Sequence, residues 1–341
     1  MNGSRSTLLS TFLALLVTAG CSVEVPPSSP DDDGGVKARA YPIACSATIG
    51  MVADIVRNVG GDHVAVDQLM GPGVDPHLHK PTSDDVRRIT QADMVFYCGL
   101  MLEGKMADSL IKVARRKPVV AVTEMIEETS LLEPEEMEGY FDPHVWNDVA
   151  AWQQCVGVVA ESLAEFDPQH REDYRSNAAD YQAKLEALHA YGQQSLGSIP
   201  VESRVLITSH DAFNYFGRAY GLDVMGVQGL STESEAGLQR INALVDLLVD
   251  RKVRAVFVES SVPPDNIEAL VEGAASRGHN VIVGGELYSD AMGKGGTYEG
   301  TYVGMLDHNI TLVTRALGGE APALGFQGKL ASQAEPVDSG A

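Results

Sequence analysis

The chain has 341 residues, 25 basic and 47 acidic side chains, a formal charge of −22, and 44% hydrophobic residues. That content supports real packed cores, and the length allows about two domains of ~100–200 residues each. The acid excess disfavours nucleic acid, whose phosphates need clustered Lys and Arg, and it suits a cationic ligand without specifying one.

Residues 1–20 carry one basic residue, Arg5, and a short apolar stretch from Leu8 to Val17. A bilayer-spanning helix needs about 20 apolar residues, so this segment reads as a signal peptide. Thr18-Ala19-Gly20-Cys21 resembles the lipobox of bacterial lipoproteins, with Thr18 where Leu is usual. That resemblance implies lipidation at Cys21; the alternative is a plain secreted protein cut near Ala19 or Gly20. Residues 21–38, rich in Pro, Ser, Asp and Gly, read as a flexible tether behind the lipidated cysteine.

From 39 to 166 strand and helix patterns alternate, giving an N-terminal α/β lobe. Strands are expected at Tyr41–Ala47, Val64–Met70, Met94–Cys98 and Val119–Val122. Helices are expected at Gly50–Val59, at Thr82–Ala92 with Thr82 or Ser83 as N-cap, at Gly104–Arg115, and from Asp148 to Phe166. Residues 167–198 read as one linking helix that Pro168 starts; at ~1.5 Å per residue it is about 40 Å long, a spine between two blocks. Alternation resumes over 199–320, a C-terminal α/β lobe. Its strands are Val205–Thr208, Asp223–Val227, Ala255–Val258 and Val281–Val283, and its helices lie near Ala212–Tyr220, Glu235–Arg251, Pro264–Arg277 and Thr301–Leu317. Residues 321–341 read as a flexible tail. The fold class is α/β, two parallel-sheet lobes joined by a single long spine helix.

Apart from Cys21, the cysteines are Cys45, Cys98 and Cys155. An odd count without zinc-thiolate spacing reads as buried free thiols, with a Cys45–Cys98 bridge left open. No P-loop, dinucleotide fingerprint, H-E-x-x-H or nucleophile elbow is present.

Three of the nine histidines share a setting: beside an acid, in a turn shaped by Pro or a strand end. They are His77 in G-P-G-V-D-P-H, His144 in F-D-P-H-V-W and His210 in T-S-H-D. Proline stiffens the backbone on either side of itself, which suits metal bonds of ~2.0–2.2 Å, and the preceding Asp can bond backbone or orient the ring. Ligands of open parallel sheets bind beyond the carboxyl ends of strands, where His77, His210 and the loop Gly284–Asp290 all fall. On this pattern alone, a metal site of His77, His144 and His210 and three loop histidines with unrelated roles stand level. Glu259 and Glu286 are candidates to support such a site from behind. His63, His170, His189, His279 and His308 read as surface or packing residues. The acidic run Glu124, Glu127, Glu128, Glu133, Glu135, Glu136 and Glu138 reads as a solvated loop.

Four motifs together carry a resemblance: G-P-G-V-D-P-H-L-x-K at 71–80, F-D-P-H-V-W-x-D at 141–148, S-H-D-A-F-x-Y-F at 209–216 and G-G-E-L-Y-S-D-A-M-G at 284–293. G-T-Y-x-G-T-Y-V-G-M at 296–305 fits too. The sequence resembles the TroA-like zinc/manganese-binding lipoproteins of ABC metal importers, over residues 40 to 318. The resemblance implies two lobes on a rigid helix with Zn2+ or Mn2+ held between them by His77, His144, His210 and Asp290. It implies no enzyme activity, and an extracytoplasmic, lipid-anchored monomer that passes metal to a membrane permease. Leu78-His79 departs from the family's usual Tyr or Glu-Tyr, so His79 is either an exposed substitute or an accessory ligand during loading. The alternatives are a zinc-dependent hydrolase, with Glu259 or Glu286 as base and a water-filled metal position, and an adhesion module with a structural metal.

Overall fold

The computed structural model describes residues 40–134 and 139–331. The signal peptide, Cys21, the tether, Glu135, Glu136 and Glu138 fall outside the described residues. The first lobe is built on a parallel four-stranded sheet of β1 (Ile43–Ala47), β2 (Val64–Gln68), β3 (Met94–Tyr97) and β4 (Val119–Ala121), in the order β2-β1-β3-β4. Helices cover both faces, so β1 and β3 are almost wholly buried, as parallel strands must be. The helices of this lobe are α1 (Gly50–Gly60), α2 (Ser83–Gln91), α3 (Ala107–Ala114) and α4 (Val149–Phe166). Thr82 is the N-cap of α2: its hydroxyl accepts from the Asp85 amide while Asp85 accepts from the Thr82 amide. The Gly104 end of α3 is a separate 3-10 turn, Gly104–Met106.

The spine is α5 (Arg171–Gly197), entered through a 3-10 turn at Pro168–His170. Its inward stripe, Tyr174, Ala178, Tyr181, Leu185, Leu188, Gly192 and Ser195, keeps the three-to-four spacing of one helix face. The second lobe contains β5 (Val205–His210), α6 (Asn214–Tyr220), β6 (Asp223–Gln228), α7 (Leu238–Asp250), β7 (Ala255–Glu259), α8 (Asp265–Ser276), β8 (Ile282–Leu287) and α9 (Tyr302–Ala316). Here the strands bond as two parallel pairs, β5-β6 and β7-β8, rather than one continuous ladder. The last pair reaches Leu287, farther than the short strand expected near 281–283, and its register shifts at Val256/Phe257.

One apolar cluster runs through both lobes. It includes Val52, Trp152, Tyr181, Leu188, Phe216, Tyr302 and Leu306, contributed by α1, α4, α5, α6 and α9. A second cluster, with Val205, Val256, Leu248 and Leu270, fills the far side of the second lobe. Cys45, Cys98 and Cys155 are free and buried, so the bridge left open between the first two is not made. The stretch expected to open the flexible tail is pinned at points as far as 330: Leu330 is buried, Phe326 lies on Tyr191, and the Phe326 amide donates to Asp307 Oδ1 at 2.8 Å. Buried apolar groups within a polar-looking segment hold it down. Among the described residues no helix is long and apolar enough to cross a membrane.

Candidate metal centre

The four residues His77, His144, His210 and Asp290 meet at the carboxyl ends of the strands. His77 lies in the loop after β2. Its Pro76 neighbour is buried, and the Asp75 carboxylate folds back to accept the His77 amide at 2.8 Å. The second D-P-H repeats the turn: Asp142 Oδ1 accepts the His144 amide at 2.9 Å and also touches His144 Nδ1 at 2.7 Å. A 3-10 turn at Val145–Asn147 follows, and Asp148 then caps α4 by accepting from the amides of Ala150 and Ala151. Chain stiffness from Pro and the Asp-to-backbone bond thus aim both rings.

His210 ends β5. Its amide donates to Glu259 Oε1 at 2.8 Å and its Nδ1 meets Glu259 Oε2 at 2.5 Å. Glu259 ends β7, so a side chain ties β5 to β7 where no backbone ladder does. The adjacent strand must come close here. A Cβ at Gly226 would lie 2.4 Å from Asp211 N and 2.5 Å from His210 C, so only glycine fits. Asp290 follows β8 in a braced loop. Asn309 on α9 bonds both the amide and the carbonyl of Tyr288, and the Trp146 indole donates to the Ser289 carbonyl at 2.8 Å.

The rings of His144 and His210 are fully buried, as is Asp290, and the His77 side chain is 7% exposed. His77 Nε2 and His144 Nε2 are 3.1 Å apart. Asp290 oxygens lie 3.2 Å from His210 Nε2, 3.5 Å from His144 Nε2 and 3.9 Å from His77 Nε2. A tetrahedral ion with bonds of ~2.0–2.1 Å sets its donors about 3.3–3.4 Å apart, so these separations fit one ion with small adjustments. Both Asp290 oxygens and His210 Nε2 are buried without a completed hydrogen bond. Since Asp142 and Glu259 occupy the Nδ1 atoms of His144 and His210, it is Nε2 that faces the centre in each.

Electrostatics separates the rings. Burial lowers the His77 imidazole to about 4. Burial acts the same way on His210, but the Glu259 and Asp290 carboxylates outweigh it and raise that imidazole well above 6.5. Burial alone would raise Asp290; the three imidazoles, His210 foremost, instead hold it far below the usual carboxylate range. A cavity of about 260 Å³ leads to His77 between Leu100–Lys105 of one lobe and Leu230–Glu233 of the other. Lys105 and Glu233, which both line it, form an ion pair of 2.8 Å between the lobes, and the Thr232 hydroxyl, next to Glu233 in the chain, bonds Asp75, close to His77 in the chain. A larger cavity of about 590 Å³, lined by Val86, Lys112 and Arg116, contains none of the four residues.

Two candidates do not join the centre. His79 turns outward and pairs with Asp85 at 3.1 Å, because the turn closed by its amide on the Asp75 carbonyl directs it to the start of α2. Glu286 is exposed, on the outward-facing side of β8, where its backbone pairs with Val258 and its carbonyl meets His308. His189 and His279 bond Tyr220 and the Val253 carbonyl. Glu124, Glu127, Glu128 and Glu133 are exposed, a solvated loop. Sequence reasoning missed the cross-lobe bonds of Thr232 and Trp146 and the brace from Asn309, none of which leaves a local pattern.

A family model described as zinc-uptake complex component A, periplasmic (ZnuA), matches residues 46–316. The manganese-binding lipoprotein MntA of Bacillus subtilis is 44% identical over 313 residues, covering 92% of this chain and 99% of that one. The zinc-binding protein TroA of Treponema pallidum is 48% identical over 270 residues, covering 79% of this chain and 87% of that one. The solved structure of periplasmic TroA from Treponema pallidum superposes with a TM-score of 0.79 at 46% identity, covering 81% of this chain and 99% of that one. With 271 of its residues spanned by that one model, the chain belongs to the ZnuA family.

Proposed function

We propose that this chain is the extracytoplasmic substrate-binding protein of an ABC importer, capturing zinc or manganese and delivering it to the permease. His77, His144, His210 and Asp290 hold the ion, with Glu259 and Asp142 positioning two of the rings. The observation that carries this reading is a buried carboxylate whose two oxygens complete no hydrogen bond yet sit 3.2–3.9 Å from three imidazole nitrogens. A cation satisfies all of these atoms at once, whereas an unpaired buried polar group is costly. Cys21 tethers the protein to the membrane by lipid, and it works as a monomer.

The hydrolase alternative loses its base: Glu259 is spent on the His210 amide and ring, and Glu286 is exposed. Three nitrogens and one carboxylate suit zinc by ligand type, while relatives similar at 44% and 48% are named for manganese and zinc respectively. Release follows movement of the Asp290 loop on docking, which withdraws the only anionic ligand.

Competitive titration of metal-stripped protein with zinc and manganese, read by Trp146 emission, ranks the two ions. The Trp146 ring lies 5.3 Å from the His144 ring and reports occupancy. Asp290→Ala is expected to abolish tight binding with circular dichroism unchanged; affinity equal to the parent's overturns the ligand assignment. The adhesion alternative predicts that metal removal unfolds the protein, whereas a carrier keeps a cooperative thermal transition when stripped.

A further inference from the structure

A second group of ligand-type side chains lies at the opposite edge of the first lobe. His63 sits in the 3-10 turn that precedes β2, whereas His77 follows that strand, and five residues at ~3.3 Å each separate the two edges by about 16 Å. His170 ends the 3-10 turn before α5, and Asp173 is one turn on, in the first turn of α5. His63 Nε2 is 3.0 Å from Asp173 Oδ2, and one ligand atom from each of the three lies within 4.8 Å of the others.

We propose that His63, His170 and Asp173 form a second metal site, taking one borderline divalent cation such as zinc, copper(II) or nickel. The support behind it copies the main centre. Asp167 is buried and accepts from the Tyr41 hydroxyl at 2.7 Å and the Tyr174 hydroxyl at 2.8 Å. Its Oδ2 also meets His170 Nδ1 at 2.7 Å, as Asp142 meets His144 Nδ1. That contact places the proton on Nδ1 and leaves Nε2 as the lone-pair atom, and the Gln169 side-chain nitrogen at 3.3 Å from Nε2 agrees. Tyr41 stands edge-on to His170 and His63 edge-on to Tyr174.

Exposure allows entry from solvent: 28% for His63, 21% for His170 and 58% for Asp173. The positive end of α5 opposes a cation, and Asp167, Glu172 and Asp173 offset it. The two imidazoles are stacked, 3.9 Å between centroids and 20° from parallel. Ligation turns them out of the stack toward the 5.2–5.9 Å separations of the main centre, where ring-plane lone pairs converge. Two imidazoles, one carboxylate and solvent complete a tetrahedral ion, weaker than the buried site because two of its ligands must reorient.

The test is equilibrium dialysis of the stripped full chain against zinc, with bound metal counted by elemental analysis, beside calorimetric titration. Two equivalents are expected, a tight one and a weaker one. His63→Ala and His170→Gln each remove the weaker step and leave the tight one. Asp290→Ala removes the tight step and leaves the weaker one, which separates this proposal from that for the main centre. His279→Gln, a histidine in neither cluster whose ring bonds the Val253 carbonyl, serves as a control that keeps two steps. One equivalent in the parent protein, or a weaker step that survives both histidine substitutions, overturns it.

Discussion

Replacing Glu259 by Gln changes one atom's chemistry behind the metal centre and leaves its shape. Glu259 accepts the His210 amide with one oxygen and faces His210 Nδ1 with the other, both from a fully buried position. A glutamine cannot do both. If its oxygen keeps the amide, its NH2 group confronts Nδ1, which must then become an acceptor, and the ring proton moves to Nε2. That nitrogen is the atom 3.2 Å from Asp290 and offered to the metal. If the amide flips, the His210 N–H is left buried without an acceptor, at about 1–3 kcal/mol. Either arrangement weakens binding. Loss of such an orienting carboxylate typically costs 10–100-fold in affinity, about 1.4–2.8 kcal/mol at 1.4 kcal/mol per tenfold. Competition against a fluorescent chelator measures it, with circular dichroism confirming the fold. Glu286→Gln, at the exposed end of β8, is the control and leaves affinity unchanged. A Glu259→Gln protein that folds and binds within twofold of the parent refutes the orienting role.

Other outcomes follow from the same geometry. The Glu259 and Asp290 carboxylates favour the protonated His210 ring, whereas burial favours a neutral His77, so a metal taking His210 Nε2 competes with a proton and binding is expected to release protons. Calorimetry in buffers of different ionisation enthalpy counts them, and zero contradicts the charge assignment. Because the folded His210 value is raised, affinity climbs with pH until that value is passed, while the imidazolium's contribution to apo stability, complete below about 6.5, is lost over the same rise. Asn309→Ala removes both bonds to the Tyr288 peptide and frees the Asp290 loop. Metal dissociation, followed by stopped-flow chelation, is expected to accelerate several-fold; an unchanged rate means the loop does not govern release. Gly226→Ala forces a Cβ against the His210–Asp211 backbone and costs about 1–3 kcal/mol in denaturant unfolding, with metal affinity reduced as well. Unaltered stability there shows that β6 can move away.

Local chemistry made most of the elements readable. Thr82 with Asp85 marks the start of α2, Asp148 that of α4, and the apolar stripe from Tyr174 to Ser195 marks the spine, because each signal sits within a few residues of its effect. The D-P-H turns were legible for the same reason: the Asp, the Pro and the His they aim are neighbours. What lay beyond reach depends on contacts between distant segments. Glu259 ends β7 and Glu286 lies near the end of β8, and only the packing of β7 beside β5 puts one against His210, 49 residues earlier, while the other faces solvent. His77 and His79 differ by two residues, yet a single turn separates an inward ring from one bound to Asp85. The division of the second sheet into pairs, and the anchoring of residues up to 330, likewise come from tertiary packing.

The apolar cluster that passes from one lobe to the other has a consequence for traffic at the membrane. Parting the lobes would expose side chains such as Trp152, Tyr302 and Leu188, a cost that opposes any wide opening between loaded and empty carriers. A divalent ion that displaces a proton from His210 adds less than its full charge, and it does so at a largely buried site. The receiving permease is therefore offered little by which to turn away an empty carrier. If empty copies dock as well as full ones, they compete for the permease, and throughput is expected to peak at an intermediate ratio of carrier to permease.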